Sequence, residues 1–180
     1  MKVQELKLLV KAYQSQTQVA YMQGDDKHSK NDNLRKLRKI NTALNMLDTV
    51  PSDTETVGHI QPNNIGDIFE AVECYHRSGE FNRSPKGRAD LVVDNKVYEM
   101  KSLEGKDSPS VNVHEKVDKA VFLFGGQVYE LSPAGFKTII QEFTTVRKSE
   151  PHKRRIRNNE RVREFIRTHG KLVRDFNKKS

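Results

Sequence analysis

The segment 89–102, ADLVVDNKVYEMKS, constrains the fold of this chain more than any other stretch. Two short apolar runs flank Asp94 and Asn95, which both tolerate positive φ and therefore favour a two-residue β-turn. Closing the chain at this turn pairs Val93 with Lys96 and lets the two runs form neighbouring strands. The sequence therefore predicts a β-hairpin whose register decides which side chains share a face.

Three charged side chains occupy hairpin positions where valine or isoleucine would be expected. With this turn, Asp90 lies opposite Glu99, and Lys101 shares their face because side chains alternate along a strand. A turn shifted by one residue opposes Asp90 to Lys101 and keeps all three on one face, whereas a three-residue turn separates them. Two carboxylates that face each other across a strand pair destabilise the pair by a free energy on the order of 0.2–1 kcal/mol. A divalent cation such as Mg²⁺ bound between them makes the arrangement favourable. The alternative is an exposed face with an incidental salt bridge.

A helix is predicted directly upstream of the hairpin, in the segment IGDIFEAVECYHRSG. Asn64 is placed to cap its N-terminus, and Gly79 is placed to end it. On a helical wheel Glu70 points away from the apolar stripe, while Glu73 flanks that stripe. Both glutamates are therefore candidates for a polar cleft.

From Gly66 to Ser102 the chain resembles the PD-(D/E)xK nuclease superfamily, which has the restriction-endonuclease-like fold. The matching pattern is G-x-x-x-E on a helix, a glycine that ends the helix, a basic loop, D-L-V and E-x-K, closest in layout to archaeal-type Holliday-junction resolvases. The resemblance implies an αβββαβ core and Mg²⁺-dependent phosphodiester hydrolysis, with Mn²⁺ as a substitute. The catalytic residues that it implies are Glu70, with Glu73 as the alternative, and Asp90, Glu99 and Lys101. The metal ligands would be Asp90, Glu99 and the carbonyl of Met100, with Lys101 beside the attacking water.

The basic charge of the chain is concentrated in its C-terminal segment. Residues 147–180 contain thirteen Lys or Arg and four Asp or Glu, which gives this segment a net charge of +9. The whole chain has a formal net charge of +8, so the net charge of residues 1–146 is −1. Most charge runs are solvated surface, but this local excess favours contacts with nucleic-acid phosphates. The predicted contacts lie in this segment and in the loop before the hairpin: Lys153, Arg154, Arg155 and Arg157, and Arg83, Lys86 and Arg88.

The expected fold class is α/β, with four parts along the chain. They are a helical hairpin at 1–50, a polar linker at 51–63, a restriction-endonuclease-like αβββαβ core at 64–146, and a basic helical tail at 147–180. Within the core, a short helix is predicted through HEKVD (114–118), followed by a strand KAVFLF, a turn at Gly125 and Gly126, and a returning strand QVYEL. Ser132 is placed to cap a further helix.

These observations also limit the function classes. The single cysteine, Cys74, excludes an intramolecular disulfide and a cysteine-based zinc cluster. No apolar run approaches the roughly 20 residues that a bilayer requires, so a cytoplasmic protein without a membrane partner is expected. The predicted function is a homodimeric Mg²⁺-dependent DNA endonuclease of restriction, resolvase or mobile-element type. The alternative is a non-catalytic nucleic-acid-binding protein that uses the basic tail and the second helix.

Overall fold

The computed structural model describes residues 1–84, 89–146 and 148–178 and has an α/β fold. The described residues form two compact units, which divide after Ser84. The helices are α1 (Val3–Gln23), α2 (Lys27–Leu47), α3 (Ile65–Ser78), α4 (Pro133–Glu142) and α5 (Glu160–His169). The strands are β1 (Thr56–Val57), β2 (Phe81–Asn82), β3 (Leu91–Val93), β4 (Lys96–Ser102), β5 (Ser110–Asn112), β6 (Lys119–Phe124), β7 (Gln127–Leu131), β8 (Thr144–Val146), β9 (Lys153–Ile156) and β10 (Lys171–Asp175).

The first unit contains the predicted helical hairpin. Helices α1 and α2 are antiparallel neighbours, since Lys7 Nζ near the start of α1 lies 3.1 Å from Asp48 Oδ1 at the end of α2. Their facing stripes are buried, while the outer side of α1 leaves Leu8, Val19 and Met22 exposed. No helix in the described residues is long and apolar enough to cross a membrane.

The predicted helix α3 is confirmed with both of its ends. The Asn64 side chain accepts a hydrogen bond from the Asp67 N–H at 3.2 Å, which satisfies one of the free donors of the first turn. Gly79 ends the helix with a φ of 82°, a left-handed conformation that favours glycine. The strands β1 and β2 of the same unit pair in parallel over two residues each.

The second unit is built on a five-stranded sheet with the order β10-β7-β6-β4-β3. Strands β4 and β6 are parallel, and the other neighbours are antiparallel. The predicted hairpin is confirmed: Val93 pairs with Lys96, and Asp94 and Asn95 form the turn with φ values of 51° and 61°. The turn at Gly125 and Gly126, with the strands on either side of it, is also confirmed.

The short helix predicted through residues 114–118 is wrong, because this segment is turn and irregular chain. The Asp118 N–H donates to the Val97 carbonyl at 2.9 Å, and the Asp118 carboxylate accepts from the Val97 N–H at 2.8 Å. These two hydrogen bonds hold the segment beside the start of β4, and a helix through residues 114–118 could not keep them. The connection from β4 to β6 therefore contains β5 and no helix, and the expected αβββαβ core is not confirmed.

The prediction of a helical C-terminal tail is also wrong for most of its length. Strand β9 is the centre of a three-stranded sheet with the order β5-β9-β8, β10 pairs with β7, and α5 is the only helix among the described residues of the tail. Pairing on both sides satisfies the backbone of β9 and buries Ile156, so tertiary context outweighs the weak local preferences of lysine and arginine. The tail thereby contributes Ile156, Val162 and Ile166 to the core of the second unit.

Candidate active site

The structure divides the four predicted catalytic residues between the two units. Glu70 lies on α3 in the first unit. In the second unit, Asp90 directly precedes β3, and Glu99 and Lys101 both lie on β4. Asp90, Glu99 and Lys101 therefore form one group around β4. The participation of Glu70 in that group stays a prediction.

Asp90 is anchored to the backbone of β4. Its Oδ2 accepts a hydrogen bond from the Met100 N–H at 2.7 Å. Strand β3 begins only at Leu91, so no strand residue before it pairs with Met100. The Asp90 carboxylate takes the place of that missing backbone partner. The N–H and C=O of one strand residue point toward the same neighbouring strand. The Met100 carbonyl therefore points to the edge of β4 at which Asp90 lies.

Glu99 and Lys101 form a partly enclosed ion pair on one face of β4. Lys101 Nζ lies 2.6 Å from Glu99 Oε1, and the Glu99 side chain is only 8 % exposed. In the parallel register with β6, Glu99 lies beside Ala120 and Lys101 beside Phe122, both members of the buried core. The pair therefore sits at the margin of an apolar cluster, where an unpaired charge would be costly.

The environment of Glu99 favours its protonated form. Burial raises the pKa of the Glu99 carboxyl, the ammonium of Lys101 opposes this rise, and the carboxylate of Glu115 adds to it. Desolvation is the largest of these causes, since water no longer stabilises the charged form. A cation placed beside Glu99 would offset that loss of solvation and keep the carboxylate ionised.

Glu115 is a site residue that the sequence analysis missed. It lies between β5 and β6, in the segment that Asp118 holds beside β4, and its carboxylate is near enough to Glu99 to raise the pKa of that carboxyl. Its position follows from the irregular, non-helical course of residues 113–118. Because that segment was expected to be a helix, nothing in the local pattern indicated an approach of Glu115 to Glu99.

The oxygen atoms at this edge of β4 suit a hard divalent cation. In the chain as described, no three His, Cys, Asp or Glu side chains are arranged as a metal site. The oxygen donors carried by β4 and by the residue bonded to its backbone are the carboxylates of Asp90 and Glu99 and the carbonyl of Met100. Mg²⁺ is usually held by one or two carboxylates and completes its shell with waters and substrate phosphate oxygens. The donor set therefore fits Mg²⁺, and carboxylate and carbonyl ligands suit Mn²⁺ as well.

The end of β4 is held by the C-terminal segment. The Asn158 side-chain amide donates to the carbonyls of Leu103 at 3.2 Å, Gly105 at 3.0 Å and Asp107 at 2.9 Å. Arg163 Nη1 donates in turn to Asn158 Oδ1 at 2.5 Å. The loop that follows the E-x-K strand is therefore positioned by residues more than fifty positions away.

The carboxylates of α3 take part in ion pairs within the first unit. Arg83 Nε lies 2.8 Å from Asp67 Oδ1 and 3.7 Å from Glu70 Oε2. The Asp67 contact is ionic rather than a directed hydrogen bond, because this Nε has no hydrogen-bond acceptor among the described residues. The fully buried Glu73 accepts a hydrogen bond from Arg77 Nε at 3.0 Å. Arg83, predicted to contact phosphates, is therefore engaged with helix carboxylates in this structure.

The remaining predicted nucleic-acid contacts fall in two places. Lys86 and Arg88 lie outside the described residues. Lys153, Arg154 and Arg155 lie on β9, and Arg157 follows the end of that strand. Because side chains alternate along a strand, Arg154 lies on a different face from Lys153 and Arg155. The predicted helix did not divide these residues in this way.

The replacement Glu115→Gln is expected to lower the pKa of Glu99. It removes a neighbouring negative charge, and the new amide can donate to the Glu99 carboxylate. The folded state raises the pKa of Glu99 above 4.5, so folding favours the protonated carboxyl. The free energy of unfolding therefore falls as the pH rises from about 4.5 through the pKa that Glu99 has in the folded state. Each unit by which the variant lowers the pKa should return about 1.4 kcal/mol at neutral pH.

The measurement is a carbon-detected NMR titration of the Glu99 carboxyl, with denaturant unfolding at acid and neutral pH. Glu142→Gln, at an exposed position at the end of α4, is the control for removing one negative charge. A Glu99 pKa that stays the same or rises in Glu115→Gln would contradict the contact.

Comparisons with known proteins do not assign the chain to a family. No protein-family model, no curated protein and no solved structure matches it. The likeness to PD-(D/E)xK nucleases therefore rests on the residues of segment 66–102.

Proposed function

We propose that this protein is a Mg²⁺-dependent DNA endonuclease of restriction, resolvase or mobile-element type. The observation that carries the proposal is the convergence on β4 of two carboxylates and an ammonium. Asp90 Oδ2 accepts a hydrogen bond from the Met100 N–H at 2.7 Å. The residues on either side of Met100 form an ion pair, with Lys101 Nζ 2.6 Å from Glu99 Oε1. This group combines hard oxygen ligands with a cation, and phosphodiester hydrolysis needs both.

Each residue of the group has a role in this reaction. Asp90, Glu99 and the Met100 carbonyl would hold Mg²⁺, which when bound stabilises charge on a phosphate and lowers the pKa of a bound water. Lys101 stabilises negative charge that develops on the scissile phosphate, or orients the attacking water. Its partial burial strengthens these interactions, because charges interact more strongly where water is excluded. The resemblance adds Glu70 as a further carboxylate.

The proposed partner is DNA, and the proposed assembly is a homodimer in the cytoplasm. Cutting both strands of a duplex with one small site per chain calls for two subunits. The exposed apolar side chains of α1, Leu8, Val19 and Met22, are available for such a contact. This dimer is part of the proposal, with the helical hairpin as its candidate surface.

The test is cleavage of supercoiled plasmid DNA by the purified chain. With Mg²⁺ or Mn²⁺ we expect nicked or linear product, and with EDTA we expect none, since the carboxylates act through the metal. A panel of linear, branched and single-stranded DNA then identifies the preferred substrate. Equal activity in EDTA, or no product from any member of the panel with either metal, would contradict the proposal.

The second candidate function is non-catalytic binding of nucleic acid. It is favoured by the arginines at and after β9, Arg155 and Arg157, which are exposed and have no carboxylate partner among the described residues. This function predicts retention of DNA in a gel-shift assay without any cleavage product. The plasmid assay therefore separates the two candidates.

A further inference from the structure

The sheet formed by β5, β9 and β8 packs part of one face against the core, while Val146 on that same face is exposed. Val111 and Ile156 belong to the buried core and mark the inner face. Because side chains alternate along a strand, Arg154 lies on the side of Ile156, while Lys153 and Arg155 project from the opposite face. The β-strand thus places Lys153 and Arg155 on one face and Arg154 on the face that carries Val111 and Ile156.

The outer face consists of polar and basic side chains only. Arg155 is paired with Ser110 on one side and Thr145 on the other, and Lys153 is paired with Asn112. We call these five residues the polar sheet face. It carries no aromatic side chain and no carboxylate in its described strands.

The cations of this face differ from Arg163 and Arg167 of α5 in their partners. On α5, Arg167 Nη1 lies 2.7 Å from Glu160 Oε1, and Arg163 Nε lies 3.4 Å from Glu160 Oε2. Within the described chain, Arg155 has no such partner, and Lys153 has only Glu150, which is itself 36 % exposed, at 3.4 Å. A solvated pair of this kind is worth little and is easily exchanged for a phosphate. The polar sheet face therefore carries part of the uncompensated positive charge of the tail, whereas Arg163 and Arg167 of α5 are paired with Glu160.

We propose that the polar sheet face binds the sugar–phosphate backbone of duplex DNA, with Lys153 and Arg155 as its phosphate contacts. The inference deepens the proposed function, from which it takes DNA as the partner. Arginine, lysine, serine, threonine and asparagine are the side chains that hydrogen-bond to phosphates and sugars, and such contacts carry no sequence information. Preferential binding of single strands relies on aromatic side chains that stack on bases, and this face has none among its described residues.

The proposal also sorts the four basic residues predicted from the sequence. Lys153 and Arg155 contact phosphate directly, whereas Arg154 does not, because alternation places it on the opposite face of the sheet, between Val111 and Val146. The matched pair of variants is therefore Lys153→Gln/Arg155→Gln against Arg154→Gln. All three changes remove charge from one strand and leave the apolar residues of the core in place.

Binding is measured by fluorescence anisotropy in EDTA, so that no cleavage occurs, with short DNA duplexes of two unrelated sequences over a range of salt. In the double variant the slope of log affinity against log salt should fall by about 1.8, or 0.9 for each of the two phosphates that the variant no longer neutralises. Arg154→Gln should keep the wild-type slope, and both duplexes should behave alike. A single strand of the same sequence should bind more weakly. An unchanged slope in the double variant, an equal loss in Arg154→Gln, or tighter binding of the single strand would overturn the proposal.

A second variant tests the face without removing either cation. Thr145 is exposed and lies directly beside Arg155 across β8 and β9. Thr145→Glu places a carboxylate next to that guanidinium and should weaken duplex binding, whereas Thr145→Gln should not. Equal affinities of these two folded variants would overturn the proposal.

The plasmid assay on the same preparations separates this proposal from the proposed function. If the wild type cleaves with Mg²⁺ and the double variant binds as the wild type does, the sheet proposal fails and the endonuclease stands. If the double variant loses duplex binding while the wild type never cleaves, the endonuclease fails and the binding face stands.

Discussion

Lys101→Ala is expected to lower the rate of Mg²⁺-dependent DNA cleavage by about 10²–10³-fold, the loss typical when one charge-stabilising group is removed from an active site. The Lys101 ammonium is ion-paired with Glu99 and lies on the strand that also presents Met100 to Asp90. Its side chain is 19 % exposed, so it acts where solvent screening is reduced. The measurement is a single-turnover cleavage rate at saturating protein, which reports chemistry rather than binding.

The control for this variant is Lys119→Ala. Lys119 lies on the neighbouring strand β6, pairs in register with Tyr98, and forms a more exposed ion pair with Glu130 at 3.6 Å. It should leave the cleavage rate unchanged, and neither variant should alter duplex binding in EDTA. A cleavage rate that survives in Lys101→Ala would contradict the role of this lysine.

Lys101→Ala should also raise the pKa of Glu99 further, because the lysine opposes the effect of burial. The NMR titration of the Glu99 carboxyl checks this result without any DNA. It separates the local electrostatic contact from the proposed chemistry, since the pKa can rise whether or not the protein cleaves DNA.

Phe122→Ala is expected to cost about 3–5 kcal/mol of the free energy of unfolding, the usual range for truncating a buried phenylalanine. Phe122 on β6 is fully buried, lies beside Lys101 in the sheet register, and packs against Phe136 of α4 with ring centroids 6.3 Å apart. The truncation leaves a cavity beside Lys101, on the face of the sheet that packs against α4. Denaturant unfolding at neutral pH measures the loss.

Two further variants make this stability prediction falsifiable. Phe122→Leu keeps most of the apolar volume and should cost much less than the alanine variant. Leu172→Ala removes a side chain that is 44 % exposed on β10 and should have a small effect. A cost for Phe122→Ala no greater than that for Leu172→Ala would show that Phe122 does not support the core.

Local signals in the sequence predicted the elements whose ends and turns are encoded by neighbouring residues. Asp94 and Asn95 specify their turn because both accept positive φ, and the alternation on either side then places Glu99 and Lys101 on one face. Asn64 and Gly79 delimit α3 by capping, which depends only on the adjacent turn of backbone. The pairing of Glu99 with Lys101 follows from their two-residue spacing on one strand.

Tertiary structure alone decided the elements whose backbone partners are distant in sequence. Residues 153–156 are a strand because β5 and β8 pair with them on both sides, and residues 114–118 are not helical because Asp118 is bonded to Val97. The local side chains of residues 153–156 do not prefer a strand strongly, so the hydrogen bonds and burial gained on pairing outweigh local propensity. The approach of Glu115 to Glu99 and the division of Arg154 from Arg155 both depend on this pairing. By itself, the sequence therefore determined the hairpin that carries the candidate site, and the long-range pairing decided what surrounds it.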